Sequence, residues 1–183
     1  NANNAFAAIC LWGKGAEDVC RDWEITRFDL RNLVMKKGRR YRNADGISVE
    51  RGHDDGLIEN GVIRNVSDAG IDCKGANCRI TQVDIAGARE SLKLWDSSTR
   101  HGRIISRSPR FAHIIVAGNK GQGPIVIDQL ECHGDPTRPV IAFEGTSREV
   151  VIRTLVAPKE QILYTADERS MAASLRLNGT KVL

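Results

Sequence analysis

The sequence predicts an all-β chain wound as a right-handed parallel β-helix, a solenoid of about six to seven coils. Three observations carry this expectation. Short alternating segments return at a near-fixed interval: Asn43-Ala44-Asp45-Gly46-Ile47-Ser48-Val49, then Asp68-Ala69-Gly70-Ile71-Asp72-Cys73-Lys74, then Ser91-Leu92-Lys93-Leu94-Trp95. A return of about twenty residues marks a stacked repeat fold. Second, two hydrophobic columns run through the chain and interleave, so each turn contains at least two strands. Third, no segment keeps an i, i+3, i+4 apolar rhythm over three turns with caps, so helices do not compete. A left-handed hexapeptide helix needs a six-residue rhythm, which is absent.

The first column is Ile9, Ile47, Ile71, Leu92, Ile114, Ile141 and Leu163. Each has a partner two residues on: Leu11, Val49, Cys73, Leu94, Val116, Phe143 and Thr165. A spacing of two puts both side chains on one face of a strand. The second column is Ile25, Ile58, Ile80, Ile104, Ile127 and Ile152. Three residues after most of these stands another small or apolar residue: Phe28, Gly61, Val83, Leu130 and Leu155, with Arg107 breaking the rule. Departures from the period mark excursions. The long first step of the second column, from Ile25 to Ile58, predicts a protruding basic loop over Val34 to Arg42. The long step from Ile114 to Ile141 places extra residues in one of two Gly/Pro-rich turns, 119–124 or 134–139. Near the end, Asp167 to Ala173 reads as a short helical turn and Ser174 to Leu177 as a last strand. Residues 1–183 read as one β-helix domain, with a fragment of a longer protein as the alternative.

Composition narrows the partners. No apolar run approaches the ~18 residues needed to cross a bilayer, so no membrane partner is expected. The net charge is +4, unevenly spread. Arg31, Lys36, Lys37, Arg39, Arg40 and Arg42 form one run free of acids; Arg100, Arg103, Arg107, Arg110 and Lys120 form another. Basic surfaces favour anionic partners. Nucleic acid is set aside, because only 5% of residues are aromatic and no nucleic-acid motif occurs. A uronic-acid polysaccharide remains. The five cysteines are Cys10, Cys20, Cys73, Cys78 and Cys132. They contain no Cys-x-x-Cys pair, so no structural zinc site is expected. They read as small buried side chains within the stack, although Cys73 with Cys78, or Cys10 with Cys20, could close a small loop.

At Asn43-Ala44-Asp45-Gly46 and Asp68-Ala69-Gly70-Ile71 the chain resembles the pectin-lyase-like superfamily of right-handed parallel β-helices. That resemblance implies a secreted, extracellular or periplasmic protein that handles polysaccharide in a groove along one sheet. Within the superfamily, Asn43-Ala44-Asp45 is similar to the Asn-Thr-Asp motif of polygalacturonases, and Asp68 to the first member of their Asp-Asp pair. Arg89-Glu90-Ser91 stands where Gly-His-Gly is expected, and Ile115-Val116-Ala117 where Arg-Ile-Lys is expected. Two carboxylates of the motif are thus matched, while its histidine and basic pair are not.

The outward residues of the first column outline a candidate groove. One row is Ser48, Asp72, Lys93, Ile115 and Ala142; the next is Glu50, Lys74, Trp95, Ala117 and Glu144. Adjacent coils lie about 4.8 Å apart, so Asp72 should neighbour Lys93, and Glu50 should neighbour Lys74. A hydrolase needs one protonated and one ionised carboxyl, for which Asp45 and Asp68 are the candidates, with Glu90 nearby. Both aspartates could equally cap turns by accepting backbone N–H groups. A lyase needs a base beside a uronate carboxylate and a cation to hold the developing charge. Lys93 is the candidate base, with Lys74 or His113 as helpers. Calcium could serve instead, held by Asp68, Asp72 or Asp84. A ladder ion pair with Asp72 is the structural alternative for Lys93. Trp95 is a candidate sugar platform or a cover for an apolar patch. His53-Asp54-Asp55-Gly56 reads as a solvated loop, and His101 and His133 as turn residues. The function expected is cleavage of an acidic polysaccharide, by hydrolysis or elimination, with a non-catalytic carbohydrate-binding or structural β-helix as the alternative.

Overall fold

The computed structural model describes residues 7–13, 17–35, 43–95, 100–119, 121, 123–178 and 180–181. They form a parallel β-solenoid. One sheet stacks seven strands: β1 (Ala7–Leu11), β4 (Asp45–Val49), β6 (Ile71–Cys73), β8 (Glu90–Leu94), β10 (Ala112–Ala117), β12 (Ile141–Glu144) and β14 (Tyr164–Ala166). The second sheet contains β2 (Glu24–Thr26), β3 (Asp29–Leu33), β5 (Leu57–Val66), β7 (Arg79–Ala86), β9 (Arg100–Arg107), β11 (Ile125–His133), β13 (Glu149–Val156), β15 (Ser174–Leu177) and β16 (Thr180–Lys181). Strands alternate between the sheets along the chain from β4 to β13. Five successive turns therefore carry one strand in each sheet, flanked by a partial turn on either side. All pairings are parallel except β15 with β16. Among the described residues there is no α-helix; a single 3-10 turn, Glu168–Ser170, lies within the expected helical turn.

The first column lies in register: Ile9 pairs Ile47, then Ile71, Leu92, Ile114 and Ile141 follow. From Ile47 to Ile141 these side chains are completely buried. The last rung differs from expectation. Ile141 pairs Tyr164, not Leu163, so the final strand is shifted by one residue. Both Leu163 and Tyr164 are partly buried against the core, which is why apolarity alone does not choose between them.

The second column needs a larger correction. Ile80 is followed by His101, and His101 pairs Ile127, because Ile104 aligns with Val83 and Leu130. His101 is fully buried, and its Nδ1 accepts the Ile80 N–H at 3.2 Å. Burial pulls its pKa down to about 4, so it is a neutral core residue rather than a turn residue. With His101 in the file, Arg107 no longer breaks any rule. His133 likewise belongs to a strand, β11.

Packing between the sheets follows volume. The glycines Gly46 and Gly70 face Ile63 and Ile85; a Cβ on Gly46 would stand 2.8 Å from Ile63 Cδ1, and one on Gly70 2.5 Å from Ile85 Cγ2. In the next coil the Ile85 position becomes Ser106, and the facing residues become Ser91 and His113. Small faces large, and where both are polar they bond to each other. The corners repeat too. Asn32, Asn65, Gly87, Ser108 and Gly134 occupy successive coils at one corner, all with positive φ, and Asn65 Nδ2 donates to Asn32 Oδ1 at 2.9 Å. Asn and Gly tolerate this conformation, and the two stacked amides bond to each other across the coils.

The excursions are only partly as expected. Met35 N donates to Ser67 Oγ, while residues 36–42 of the expected basic loop lie outside the described residues. The extra residues between Ile114 and Ile141 divide between both candidate turns. None of the five cysteines is in a disulfide; Cys73, Cys78 and Cys132 are buried, but Cys10 and Cys20 are exposed, against expectation, because they lie on the first partial turn. His53 is buried rather than solvated, its Nδ1 accepting the Cys20 N–H.

Candidate functional site

The outer face of the first sheet gathers most of the expected site residues. Register sets Ser48, Asp72, Lys93, Ile115 and Ala142 in one row across five coils. Just past the strand ends, Lys74 bonds Glu50 at 2.5 Å and lies 3.5 Å from Asp72. Trp95 Nε1 donates to Asp72 Oδ1 at 2.8 Å. Lys93 Nζ stands 4.9 Å from the Trp95 ring centroid, and the Arg51 guanidinium 5.6 Å. The tryptophan packs on Ala112, Ile115, Ala117 and Ala142, a small apolar cluster outside the main core. Trp95 thus does cover an apolar patch.

The other end of these strands carries the acids. Asp45 Oδ1 accepts the Ala69 N–H at 2.9 Å, the bond of a turn-capping aspartate. Arg89 reaches both oxygens of Glu90, at 3.0 and 3.1 Å, and lies 3.8 Å from Asp68 Oδ1. Its guanidinium also stacks over Phe111 at 4.7 Å. The acids lie beneath the surface: Asp45 and Asp68 are each 4% exposed and Glu90 0%.

Burial and mutual repulsion set their protonation. Burial, then the negative charges of Asp72 and Asp68, push the Asp45 carboxyl up to about 8; the Ala69 N–H pulls back by less. Burial pushes Glu90 up to about 7, against Arg89 and Lys93 and with help from Asp68 and Glu144. Asp72 is also raised, because its burial outweighs Lys74, Lys93 and the indole N–H. For Lys74, burial works against the ammonium, but Asp72 and Glu50 together outweigh it and raise its pKa. Carboxyls with midpoints near neutrality can both give and take a proton, which carboxyls in water at pH 7 do not do well.

His113 is not among these residues. It points between the sheets, fully buried, with Nδ1 2.7 Å from Ser106 Oγ, which lies 2.6 Å from Ser91 Oγ. Burial and the neighbouring His133 lower its pKa to about 4. The calcium carboxylates are not together either. Asp84 lies on the outer face of the second sheet, paired with Arg64 at 3.0 Å and Arg107 at 3.1 Å. Among the described residues, no group of three or more His, Cys, Asp or Glu side chains is placed to hold a metal ion.

The second basic run is largely neutralised within the fold. Arg100 pairs Asp128, Arg103 pairs Glu131 and Arg107 pairs Asp84. Arg110 donates to the carbonyls of Gly87, Val66 and Ser67. Lys120 lies outside the described residues. Positive charge relevant to the site comes instead from Arg89, Lys93 and Arg51. Of these, Arg51 reaches the Trp95 ring only through the coil geometry, and Arg89, although next to Glu90 in the chain, reaches Asp68 and Phe111 in the same way, so neither is legible as a site residue in the sequence.

No helix among the described residues is long and apolar enough to cross a membrane. Compared with known proteins, the chain matches no family model, no curated protein and no solved structure.

Proposed function

We propose that the protein is a secreted, pectin-lyase-like β-helix that cleaves glycosidic bonds of an acidic polysaccharide along the outer face of its first sheet. One observation carries this reading. Asp45 and Glu90 are held near or above neutrality in the same cluster as Asp68 and Asp72. A carboxyl that keeps its proton at pH 7 can protonate a glycosidic oxygen, while an ionised neighbour activates water. Asp45 or Glu90 is the acid in this scheme and Asp68 the base. Cations border the acids: Arg89 pairs Glu90 and Lys93 stands beside the Trp95 ring, and in this reading both meet uronate carboxylates.

Hydrolysis is favoured over elimination. Elimination needs a base free to reach the proton beside a uronate carboxylate, and Lys93 is instead set against the Trp95 ring at 4.9 Å, in register with Asp72. A second reading rests on burial. With Glu90 fully buried and Asp45 bonded to the Ala69 N–H, the acids would support the coil and the face above them would bind sugar without cleaving it.

Incubation with pectate, alginate and related polymers separates the readings. New reducing ends without near-ultraviolet absorbance are the expected result. An unsaturated, absorbing product would transfer the reaction to Lys93 and elimination. Retention of the protein on a polymer column without any product would establish the binding module.

A further inference from the structure

The buried thiols of Cys73 and Cys78 have no part in the site just described. Cys73 ends β6, directly between Asp72 and Lys74, and Cys78 immediately precedes β7. Both side chains fold over the same short turn. Cys73 Sγ lies 3.9 Å from the Gly75 carbonyl oxygen, and Cys78 Sγ 3.5 Å from that of Ala76. A Cβ on Gly75 would come within 2.8 Å of Cys78 Sγ, so only glycine leaves the sulfur its place. Both sulfurs therefore lie against Gly75, on one side of the turn. Both residues are fully buried. The turn is anchored at both ends: Lys74 bonds Glu50, and Asn77 donates to Asp55 Oδ1.

We infer that Cys73 and Cys78 form a disulfide when the chain folds in an oxidising compartment, and that this bond staples the turn carrying Asp72 and Lys74. The oxidant is a low-molecular-weight disulfide. Cys78 attacks it as the thiolate and releases one small thiolate. Cys73 gives up its proton and attacks Cys78 Sγ, releasing the second. Two electrons pass from the protein sulfurs to the small disulfide, and the two protons leave on the released thiols. Closure takes place as the turn forms, before the neighbouring coils cover it. The loop is short, so the gain in unfolding temperature is small, and the bond itself is the thing to measure.

Trypsin provides a direct readout, because Lys74 lies between the two cysteines. Cleavage after Arg64, Lys74 and Arg79 places Cys73 and Cys78 on separate peptides, 65–74 and 75–79. The full chain is refolded with reduced and oxidised glutathione, alkylated under denaturing conditions and digested. The expected result is the two peptides joined, and separated only by a reductant. Cys10→Ser/Cys20→Ser, which removes the two exposed thiols, should leave one alkylatable thiol, on Cys132. Peptides 65–74 and 75–79 recovered separately and alkylated, or either one joined to Cys132, would overturn the inference. This outcome is independent of whether the protein cleaves any polysaccharide.

Discussion

The indole nitrogen of Trp95 is tied to the Asp72 carboxylate one coil away, at 2.8 Å. The ring is therefore fixed rather than free to adapt to a sugar, with Lys93 and Arg51 near it and Ala112, Ile115, Ala117 and Ala142 packed against it. Trp95→Phe keeps most of the apolar cover and removes the N–H. The loss of one hydrogen bond to a charged, largely buried group should cost about 1.5–3 kcal/mol in urea unfolding. Trp95→Ala also uncovers the apolar cluster and should cost more. Equal stability of both variants would mean that the ring contributes no cover.

The raised acids make stability depend on pH in a direction opposite to that of ordinary ion-paired carboxylates. Asp45 moves from 3.8 unfolded to about 8 folded, and Glu90 from 4.5 to about 7. Between those values the folded state binds more protons than the unfolded state. Their contribution is therefore complete below the unfolded pKa values and is lost as pH rises to about 8. Denaturant midpoints should fall over this range. Asp45→Asn keeps an oxygen for the Ala69 N–H and cannot ionise, so it should flatten the slope and stabilise the fold at pH 8 relative to wild type. A variant with the wild-type slope would place the titration elsewhere in the cluster.

Ile71 lies at the centre of the interior file, between Ile47 and Leu92. Ile71→Ala leaves a cavity bounded by both neighbouring coils and should cost about 2–5 kcal/mol, against about 1 for Ile71→Val. The exposed Val156 provides the contrast: Val156→Ala should change stability by less than about 0.5 kcal/mol. Similar costs at the two sites would contradict the buried file.

Arg110 joins three coils through carbonyls of Gly87, Val66 and Ser67, at 2.6, 2.9 and 2.7 Å. Only a planar fork reaches all three. Arg110→Lys should therefore recover little of the loss in Arg110→Ala, which should be about 1–3 kcal/mol. Full rescue by lysine would reduce Arg110 to a point charge.

How much of this was legible in the sequence depends on chemistry as well as on rhythm. The first column is readable because Ile47, Ile71, Leu92, Ile114 and Ile141 are all large and apolar. The second is misread at one coil because its member there is His101, which a search for apolar residues passes over in favour of Ile104. The row containing Asp72 and Lys93 follows from the period alone, so the outer face is legible. The buried acids are less so. Sequence spacing brings Asp45 and Asp68 to the same end of the strands, but it does not reveal that Glu90 is fully covered or that Arg89 bridges Glu90 towards Asp68. His113 illustrates the limit. Alternation along β10 puts it on the outer face with Ile115, yet its ring meets the Ser106 hydroxyl of the opposite sheet, a contact that spacing along one strand does not reveal.

The proposed acid catalysis rests on a proton retained at neutral pH beneath the first sheet. Following the side-chain carboxyl carbons by NMR through a pH titration measures that proton directly, with Asp45→Asn and Glu90→Gln assigning the signals. Late midpoints are expected, about 8 for Asp45 and about 7 for Glu90. Midpoints near 4 for both, the values of carboxyls in water, would contradict it.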